Sequence, residues 1–405
     1  MAGRQPQHTL LAFVLTVALF ALVACLVLSP LLLRRLKRRF ARPILALLGR
    51  IPLPAALQTP SDLAVAVRSF SAYPNSQQRA LDRKWLAFER MPRRHRRYGD
   101  SIGWRDTLRK AEDAVELNAL VTDELAAAGA EQARREGVPL GLRSRLRQED
   151  GRVVETLKHF VRDWSEEGQG ERDALFPPIL EALRDEFDHA KGKRVLVPGC
   201  GLGRLPYEIA SQGFTVNAND FSHFMNLGSS LVFSRTCTPN QHTIAPYLHS
   251  FSHHRTSENM LRTVSFPDVV PRKDVALSFI PGDFLELFKE AGAYSACVTL
   301  FFIDTAVNLL DYIETIFRAL EPGGIWVNEG PLLYYGNPGM ELPLEDVLRL
   351  ASLVGFEVEQ RNTLKEVRYT ADELGMYTFA YDCEFWVARK PLPANDVVAD
   401  RAKNA

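Results

Sequence analysis

A strand-like apolar run in this sequence passes straight into three closely spaced glycines. The run covers residues 194–198, and Gly199, Gly201 and Gly203 follow at alternate positions before a helical pattern begins at Leu205. Glycine lets the backbone turn tightly and lets a ligand approach more closely than any side chain would allow. The arrangement predicts a strand, a ligand-binding turn and a helix, which is the opening unit of a nucleotide-type α/β fold.

A second strand-like run, residues 214–219, ends in Asp220, twenty-one residues after Gly199. In nucleotide-type folds an acidic residue at this position hydrogen-bonds the ribose hydroxyls. Dinucleotide-binding loops usually read Gly-x-Gly-x-x-Gly, whereas the spacing here is Gly-x-Gly-x-Gly and Arg204 follows at once. The tighter spacing favours S-adenosylmethionine, an adenosyl cofactor without a pyrophosphate. A tight strand–helix turn that holds no ligand is the alternative.

Charge and cysteine content exclude several classes of protein. Lys plus Arg and Asp plus Glu both total 49, so the overall charge gives no reason to expect a nucleic-acid partner. The five cysteines are widely spaced and form no Cys-x-x-Cys pair, so we expect neither a disulfide framework nor a zinc site. No other metal site is expected, and the free thiols favour a reducing compartment.

The N-terminal residues predict a membrane anchor. Residues 10–33 carry no charge, and a helix of that length exceeds the roughly 30 Å hydrocarbon core of a bilayer. Six basic residues follow within residues 34–42, while Arg4 stands nearly alone in front. By the positive-inside rule this indicates a single-pass, uncleaved transmembrane helix with the rest of the chain facing the cytosol. A cleaved signal peptide is the alternative.

Composition divides the chain into five segments. We predict a transmembrane anchor in residues 1–33, a basic and Pro-rich linker in residues 34–60, and a helical region in residues 61–190. An α/β domain that binds the adenosyl cofactor is predicted in residues 191–390, and a tail in residues 391–405. The helical region, residues 61–190, includes a candidate cap at Ser61 and amphipathic stretches at residues 105–125 and 157–164.

From residue 191 onward, strand-like and helical patterns alternate, which predicts a largely parallel sheet with helices on both faces. Too little helix separates the last two strands for a crossover, so the seventh strand is expected to be antiparallel. The long segment 237–274 holds more than half of the nine histidines, and insertions of this kind commonly cover a substrate. The candidate strands are residues 194–198, 214–219, 275–280, 294–302, 324–328, 355–361 and 382–389.

Three more sites fall at the carboxyl ends of these strands, where an open α/β sheet binds its ligands. Asp283 and Phe284 follow the third strand and could hold an adenine ring, or could form a helix cap and a core residue. Asp304 follows the fourth strand, where a residue usually meets the nucleophile; the alternative is an N-cap for a helix beginning at the next residue. Tyr334 and Tyr335 follow the fifth strand and could line a pocket or cover the sheet edge.

The sequence resembles the carnosine N-methyltransferase family over roughly residues 61–390. That resemblance implies a Rossmann-like seven-strand methyltransferase domain with an N-terminal helical region, S-adenosylmethionine as cofactor, and methyl transfer to an imidazole nitrogen of carnosine to give anserine. The motifs that carry it are Leu157-Lys-His-Phe-Val-Arg-Asp-Trp-Ser165, Val195-Leu-Val-Pro-Gly-Cys-Gly-Leu-Gly-Arg-Leu205, Phe251-Ser-x-x-Arg255, Phe266-Pro-Asp-Val269, Gly282-Asp-Phe284, Phe301-Phe-Ile-Asp-Thr-Ala306 and Gly323-Gly-Ile-Trp-Val-Asn328.

The resemblance also implies a role for each site residue. Arg162 would bind the methionine carboxylate of the cofactor, and Asp304 would bind the substrate imidazole. Three positions depart from the family pattern: His159 replaces Gln, Asp220 replaces Glu, and Tyr335 replaces a substrate-binding His. The other implied cofactor contacts are the Gly199, Gly201 and Gly203 loop under the methionyl part, Asp220 on the ribose and Asp283 with Phe284 on the adenine, while Tyr335 and Tyr381 would line the substrate side.

Two other functions remain open at this point. A membrane-tethered methyltransferase of a different small-molecule or lipid-like acceptor is one, favoured by Tyr335 and the predicted anchor. A non-catalytic protein that keeps the cofactor site as a scaffold is the other, and Asp304 argues against it. The expected partners are a small peptide substrate and a membrane contacted through residues 10–33, and a homodimer is one assembly left open.

Overall fold

The computed structural model describes residues 61–140, 148–336 and 338–393, all within one compact unit, Pro60–Ala405. Its centre is a seven-stranded sheet in the order β5-β2-β1-β6-β7-β9-β8, and a separate antiparallel pair is formed by β3 and β4. The strands are β1 (Arg194–Pro198), β2 (Thr215–Asp220), β3 (His242–Ile244), β4 (Val264–Phe266), β5 (Leu277–Pro281), β6 (Tyr294–Leu300), β7 (Leu320–Gly330), β8 (Glu357–Arg368) and β9 (Ala380–Arg389).

Strand directions confirm the predicted α/β methyltransferase architecture. The pairs β1–β2, β1–β6, β2–β5 and β6–β7 are parallel, whereas β9 is antiparallel to both β7 and β8. Within residues 369–379, between β8 and β9, the chain forms no helix, so the reversed last strand follows from the short connection as expected. The strand order reverses at β1, which places the carboxyl ends of β1 and β6 on either side of the crevice where such sheets bind ligands.

Eleven α-helices surround the sheet within the described residues. Ser61 caps the first, its side chain accepting a hydrogen bond from the Ala64 N–H at 3.2 Å, as its position in the sequence predicts. The helices are α1 (Asp62–Glu89), α2 (Arg93–Ser101), α3 (Trp104–Glu136), α4 (Asp150–Trp164), α5 (Gln169–Glu186), α6 (Arg204–Ser211), α7 (His223–Ser230), α8 (Ser257–Leu261), α9 (Phe284–Leu287), α10 (Leu309–Ala319) and α11 (Leu344–Val354).

Both faces of the sheet are buried. Helices α5 and α6 cover one face through apolar residues such as Ile179 and Ile209, and helices α10 and α11 cover the other through residues such as Ile313 and Val347. A third core joins α1, α3 and α4 to β3 and β4. Helices occupy the described residues before residue 187 and the sheet begins after residue 193, while the five predicted segments stay a prediction.

The segment 237–274 does not cover the ligand edge of the sheet, contrary to expectation. Instead it packs on the helical region: the Asn118 side chain exchanges hydrogen bonds with the backbone of Ala245 at 2.7 and 3.0 Å, and His249 contacts the Tyr73 hydroxyl at 2.7 Å. Because these buried polar groups satisfy one another, the histidine-rich segment serves packing here. Sequence analysis missed β3 and β4 because three-residue strands carry too little alternation to be recognised.

The predicted transmembrane helix requires a correction. Residues 10–33 lie outside the described residues, and no helix that the structure describes is long and apolar enough to cross a membrane. Of the predicted fold class, the methyltransferase fold with its helical region is confirmed, and the transmembrane helix is wrong. The expected orientation toward the cytosol stays a prediction.

Candidate active site

A cavity of about 790 Å³ opens at the carboxyl ends of β1, β2, β5, β6 and β7, with α4 forming its opposite wall. This volume lies within the range of about 300–1,000 Å³ that is usual for small-molecule sites. The cavity brings together residues separated by more than two hundred positions in the sequence. The predicted site residues that line it are Arg162, Gly199, Gly201, Asp220, Asp283, Phe284, Asp304, Tyr335 and Tyr381.

The loop between β1 and α6 forms the floor of the cavity. Gly199 has φ +66°, and a Cβ atom built there would lie 2.4 Å from the Phe302 ring, so the residue needs both the left-handed backbone and the empty space of glycine. Gly203 was predicted to contact the ligand but does not line the cavity. It stands at the N-terminus of α6 with φ +84°, packed closely against Phe279 and Phe233. Its role is therefore to let the loop and helix approach β5.

Asp220 ends β2 and faces the glycine loop. Its carboxylate accepts hydrogen bonds from the N–H groups of Gly201 at 2.9 Å and Ser222 at 2.8 Å. Burial raises the pKa of Asp220 to about 6, although both hydrogen bonds oppose that change. Nearby, the Arg152 guanidinium donates to the Ser222 hydroxyl at 2.9 Å. The carboxylate is thus oriented by the backbone at the place where a ribose would lie.

Asp283 and Phe284 each serve two roles. Asp283 caps α9 by accepting from the Leu285 N–H at 2.8 Å, and it also lines the cavity. Phe284 is buried, with its ring edge-to-face against Phe302 at 5.4 Å and Tyr312 at 5.4 Å. The sequence left ligand binding and a structural role open for both residues. The structure gives Asp283 the helix cap and Phe284 the core position, and it also places both residues on the cavity wall.

Helix α4 contributes a largely buried cation, Arg162. Its Nε donates to the Glu171 carboxylate at 2.5 Å, and its guanidinium lies 5.1 Å from the ring of Tyr369 and 5.6 Å from that of Phe301. Burial alone disfavours the charged form, but Asp163 and Glu171 outweigh it and raise the pKa of the Arg162 guanidinium. The cavity therefore holds a permanent positive charge on the wall opposite the sheet.

Asp304 lies in the short 3₁₀ turn Ile303–Thr305 and is only 5% exposed. It does not cap a helix, because α10 begins at Leu309 and Asn308 provides its cap. One carboxylate oxygen instead accepts from the Leu333 N–H at 2.8 Å. Burial raises the pKa of Asp304 to about 6 in spite of that hydrogen bond. An anchored, partly desolvated carboxylate therefore lines the cavity beside the sheet.

Three tyrosines line the cavity together with Asp304. Tyr335 lines it while remaining 67% exposed, and Tyr381 lines it from the start of β9. Tyr369 completes this wall, with its ring stacked on Phe301 at 4.8 Å. Tyr334, in contrast, donates its hydroxyl hydrogen to the Leu342 carbonyl at 2.8 Å and does not line the cavity. Adjacent tyrosines thus have different roles, which the sequence could not separate.

Sequence reasoning missed several residues of the site. Tyr369 and Glu171 were not singled out, since no local motif marks them and only the tertiary fold brings them to Arg162. His159 was noted as a departure from the family pattern but given no role; it lines the cavity, and burial together with Arg162 lowers its pKa to about 3. It is therefore a neutral imidazole at any ordinary pH. Its spacing of three residues from Arg162 on a predicted helix could have indicated a shared face.

The sequence that forms this cavity matches a known family. The carnosine N-methyltransferase family model aligns with residues 143–392, which include the whole cavity wall from α4 to β9. This chain belongs to that family. Carnosine N-methyltransferase of Mus musculus is 40% identical over 253 residues, an alignment that covers 59% of this chain and 63% of the mouse protein.

More distant relatives carry the same family name. Carnosine N-methyltransferase unmet of Drosophila melanogaster is 39% identical over 248 residues, covering 58% of this chain and 54% of that protein. The Schizosaccharomyces pombe carnosine N-methyltransferase is 38% identical over 264 residues, covering 59% of this chain and 70% of the yeast protein. The chain thus spans less than two thirds of the length of the mouse and fly relatives. The predicted family membership is confirmed over residues 143–392, which form the cavity.

Proposed function

We propose that this chain transfers a methyl group from S-adenosylmethionine to an imidazole nitrogen of carnosine. The observation that carries the proposal is a single cavity that joins a cofactor-type half, formed by the glycine loop, Asp220 and Arg162, to the anchored carboxylate of Asp304. The curated relatives are named for the same reaction. Neither a membrane contact nor a homodimer enters the proposal, because no described contact supports either.

The residues of the first half fit S-adenosylmethionine. Asp220 offers acceptors for ribose hydroxyls, and Asp283 with Phe284 offers an acceptor and an apolar ring for adenine. The Arg162 cation offers donors for the methionine carboxylate. Gly199 leaves the loop bare where the methionyl part would pass, since any side chain there would collide with Phe302. When bound, the cofactor supplies the methyl group on a positively charged sulfur.

Asp304 would act on the acceptor. Its carboxylate can accept the hydrogen bond of one ring N–H, which fixes the imidazole tautomer and leaves the other nitrogen with a free lone pair. Methyl transfer then forms a nitrogen–carbon bond, breaks the carbon–sulfur bond, and leaves a proton on the first nitrogen that Asp304 can receive and pass to water. The aromatic side chains of Phe301, Tyr369 and Tyr381 line the same region and would hold the flat ring in place. Alignment of the reacting atoms would supply most of the rate acceleration.

The test is to incubate the full-length protein with S-adenosylmethionine and carnosine and to look for methylated carnosine by mass spectrometry. β-Alanyl-alanine, which has the same backbone and no imidazole, is the matched control and should give no product. Formation of anserine together with S-adenosylhomocysteine supports the proposal. Cofactor binding without any methylated carnosine would contradict the choice of acceptor, and absence of cofactor binding would contradict the proposal as a whole.

Replacing Gly199 with Ala should damage both folding and cofactor binding. The left-handed backbone at this position costs an alanine about 1 kcal/mol, and the Cβ would press on Phe302, which is stacked on Tyr312 at 4.7 Å and has little room to move. Gly192→Ala is the matched control, because φ at Gly192 is +84° and no atom lies within 4 Å of its Cβ position. Urea unfolding should show a lowered free energy of unfolding for both variants. Titration with S-adenosylhomocysteine should show a lowered affinity for Gly199→Ala and an unchanged affinity for Gly192→Ala.

A further inference from the structure

Glu171 links two separate parts of the cavity wall. It lies in the first turn of α5 with its side chain 8% exposed. One carboxylate oxygen accepts from Nε of Arg162 at 2.5 Å, and the other accepts from the backbone N–H of Thr370 at 2.9 Å. Each oxygen therefore has its own donor, one from helix α4 and one from the connection between β8 and β9.

The Arg162 end of this link concerns the orientation of a guanidinium. Because Nε is already bonded to Glu171, a ligand carboxylate would be held by the terminal nitrogens of Arg162. The plane of the guanidinium is then set by Glu171, since a guanidinium is rigid and its donors point in fixed directions. Asp163 lies farther away, 3.6 Å from one terminal nitrogen. Glu171 is thus the closer of the two carboxylates that hold Arg162.

The Thr370 end concerns the connection between β8 and β9, which carries the cavity residue Tyr369. Thr370 has φ +45°, an unfavourable backbone conformation for a β-branched residue. Such strain persists only where the surroundings hold it in place, and the Glu171 hydrogen bond is a direct restraint on that peptide. The neighbouring Tyr369 stacks on Phe301 and lies over the Arg162 guanidinium. The position of this tyrosine therefore depends on the same carboxylate as Arg162.

We propose that Glu171 is a positioning residue that aligns Arg162 with the methionine carboxylate of the cofactor and at the same time sets the loop bearing Tyr369. The inference rests on the proposed function, because it takes Arg162 as the group that binds that carboxylate. Glu171 does not contact the ligand itself. It acts through Arg162, and by holding both elements it makes the cofactor half and the acceptor half of the cavity depend on one another.

A carboxylate is needed for both contacts to form. Glutamine at position 171 keeps the length and shape of the side chain but has an acceptor on only one of its two branches, and its NH₂ group would face a second donor. Glu171→Gln should therefore lose one contact and the charge that neutralises Arg162. Aspartate keeps two acceptors but is one methylene shorter, so Glu171→Asp serves as a second variant in which the charge is retained and the reach is reduced.

The experiment compares two ligands that differ at the group in question. S-adenosylhomocysteine carries the amino-acid carboxylate, whereas 5′-methylthioadenosine keeps the adenosine and the sulfur and lacks that carboxylate. In the full-length Glu171→Gln variant, the dissociation constant for S-adenosylhomocysteine should rise about tenfold, as expected for a weakened hydrogen bond to a charged group. The dissociation constant for 5′-methylthioadenosine should change less than about twofold. Calorimetric titration measures both without any turnover.

Glu167→Gln is the matched control. Glu167 is also a partly buried carboxylate with two donors, the Tyr247 hydroxyl and the Arg262 guanidinium, but it does not bond to Arg162. Its exchange should leave the preference for S-adenosylhomocysteine at the wild-type value. In Glu171→Asp that preference should fall as it does in Glu171→Gln, because the shortened side chain no longer holds Arg162 and Thr370 together.

The outcomes separate this inference from the proposed function. If wild-type protein binds the two ligands equally, Arg162 does not grip the carboxylate, and the proposal for the site fails together with the inference. If wild-type protein prefers S-adenosylhomocysteine and Glu171→Gln keeps that preference, the site stands and the positioning role is wrong. An equal loss of affinity for both ligands would mean that Glu171 only supports the fold, which also overturns the inference.

Discussion

Exchange of Asp304 for Asn should lower kcat/KM for carnosine about 10²- to 10⁴-fold, the range usual for loss of a general acid–base group. An asparagine amide cannot receive a proton, and it can orient the ring the wrong way by donating to the nitrogen that should attack. The Leu333 N–H that now donates to Asp304 at 2.8 Å would still find an oxygen acceptor. The variant should therefore fold normally and bind S-adenosylhomocysteine with wild-type affinity.

The control for this exchange is Asp311→Asn, on the exposed first turn of α10 and outside the cavity wall. Steady-state kinetics of both variants, with calorimetric titration of S-adenosylhomocysteine, give the comparison. Activity at saturating carnosine should also fall as the pH drops below about 6, because burial raises the pKa of Asp304 to about 6 and the protonated acid cannot accept the ring N–H. Unchanged turnover in Asp304→Asn would remove this residue from the mechanism.

The fold was predictable because its strongest signals are local. The glycine loop after β1, the acid at the end of β2 and the short connection before β9 each lie within a few residues of the strand they mark. Parallel strands place their carboxyl ends at one edge, so Asp220, Asp283 and Asp304 could be brought together by topology alone. All three line one cavity in the structure, although their roles toward a ligand stay a prediction.

The parts that sequence reasoning missed depend on contacts between distant segments. Glu171 and Thr370 are 199 residues apart, and nothing in either neighbourhood marks the hydrogen bond that joins them. The segment 237–274 was assigned to the substrate because of its length and its histidines, but the structure packs it on α1 and α3 through Tyr73 and Asn118. Polar residues inside a fold are chosen by their partners, and the partners are known only once the tertiary structure is known.

The same limitation concealed Glu329, an unusual acid at the end of β7. In sequence it looks like an ordinary charged residue after a strand, yet it is 0% exposed and neither carboxylate oxygen has a hydrogen-bond partner in the described structure. Burial raises the pKa of Glu329 to about 9, and the positive charge of Arg162 offsets this only in part. At neutral pH the side chain is therefore a buried, neutral carboxylic acid within range of the Arg162 charge.

This acid should make the stability of the protein fall as the pH rises. The unfolded chain releases the Glu329 proton near its ordinary pKa of 4.5, whereas the folded protein keeps it up to about pH 9. The folded state therefore binds more protons across that window, and its free energy of unfolding decreases with pH by an amount on the order of 5 kcal/mol. Below pH 4.5 both states hold the proton and this loss is absent.

Glu329→Gln removes the titration while keeping the shape of the side chain. Its stability should be close to that of the wild type at pH 5 and should exceed it by several kcal/mol, on the order of 5, at pH 9. Urea unfolding of both proteins between pH 5 and pH 9 gives the difference in their free energies of unfolding. Asp220 and Asp304 are present in both proteins, so their contributions cancel in this difference. Glu357→Gln, an exposed exchange on β8, controls for the loss of a carboxylate as such. A difference that does not vary with pH for Glu329→Gln would mean that Glu329 is ionised in the folded protein. The Arg162 charge, which lowers the pKa of Glu329, would then be partly neutralised by that carboxylate, and this would weaken the role assigned to Arg162 toward the cofactor carboxylate.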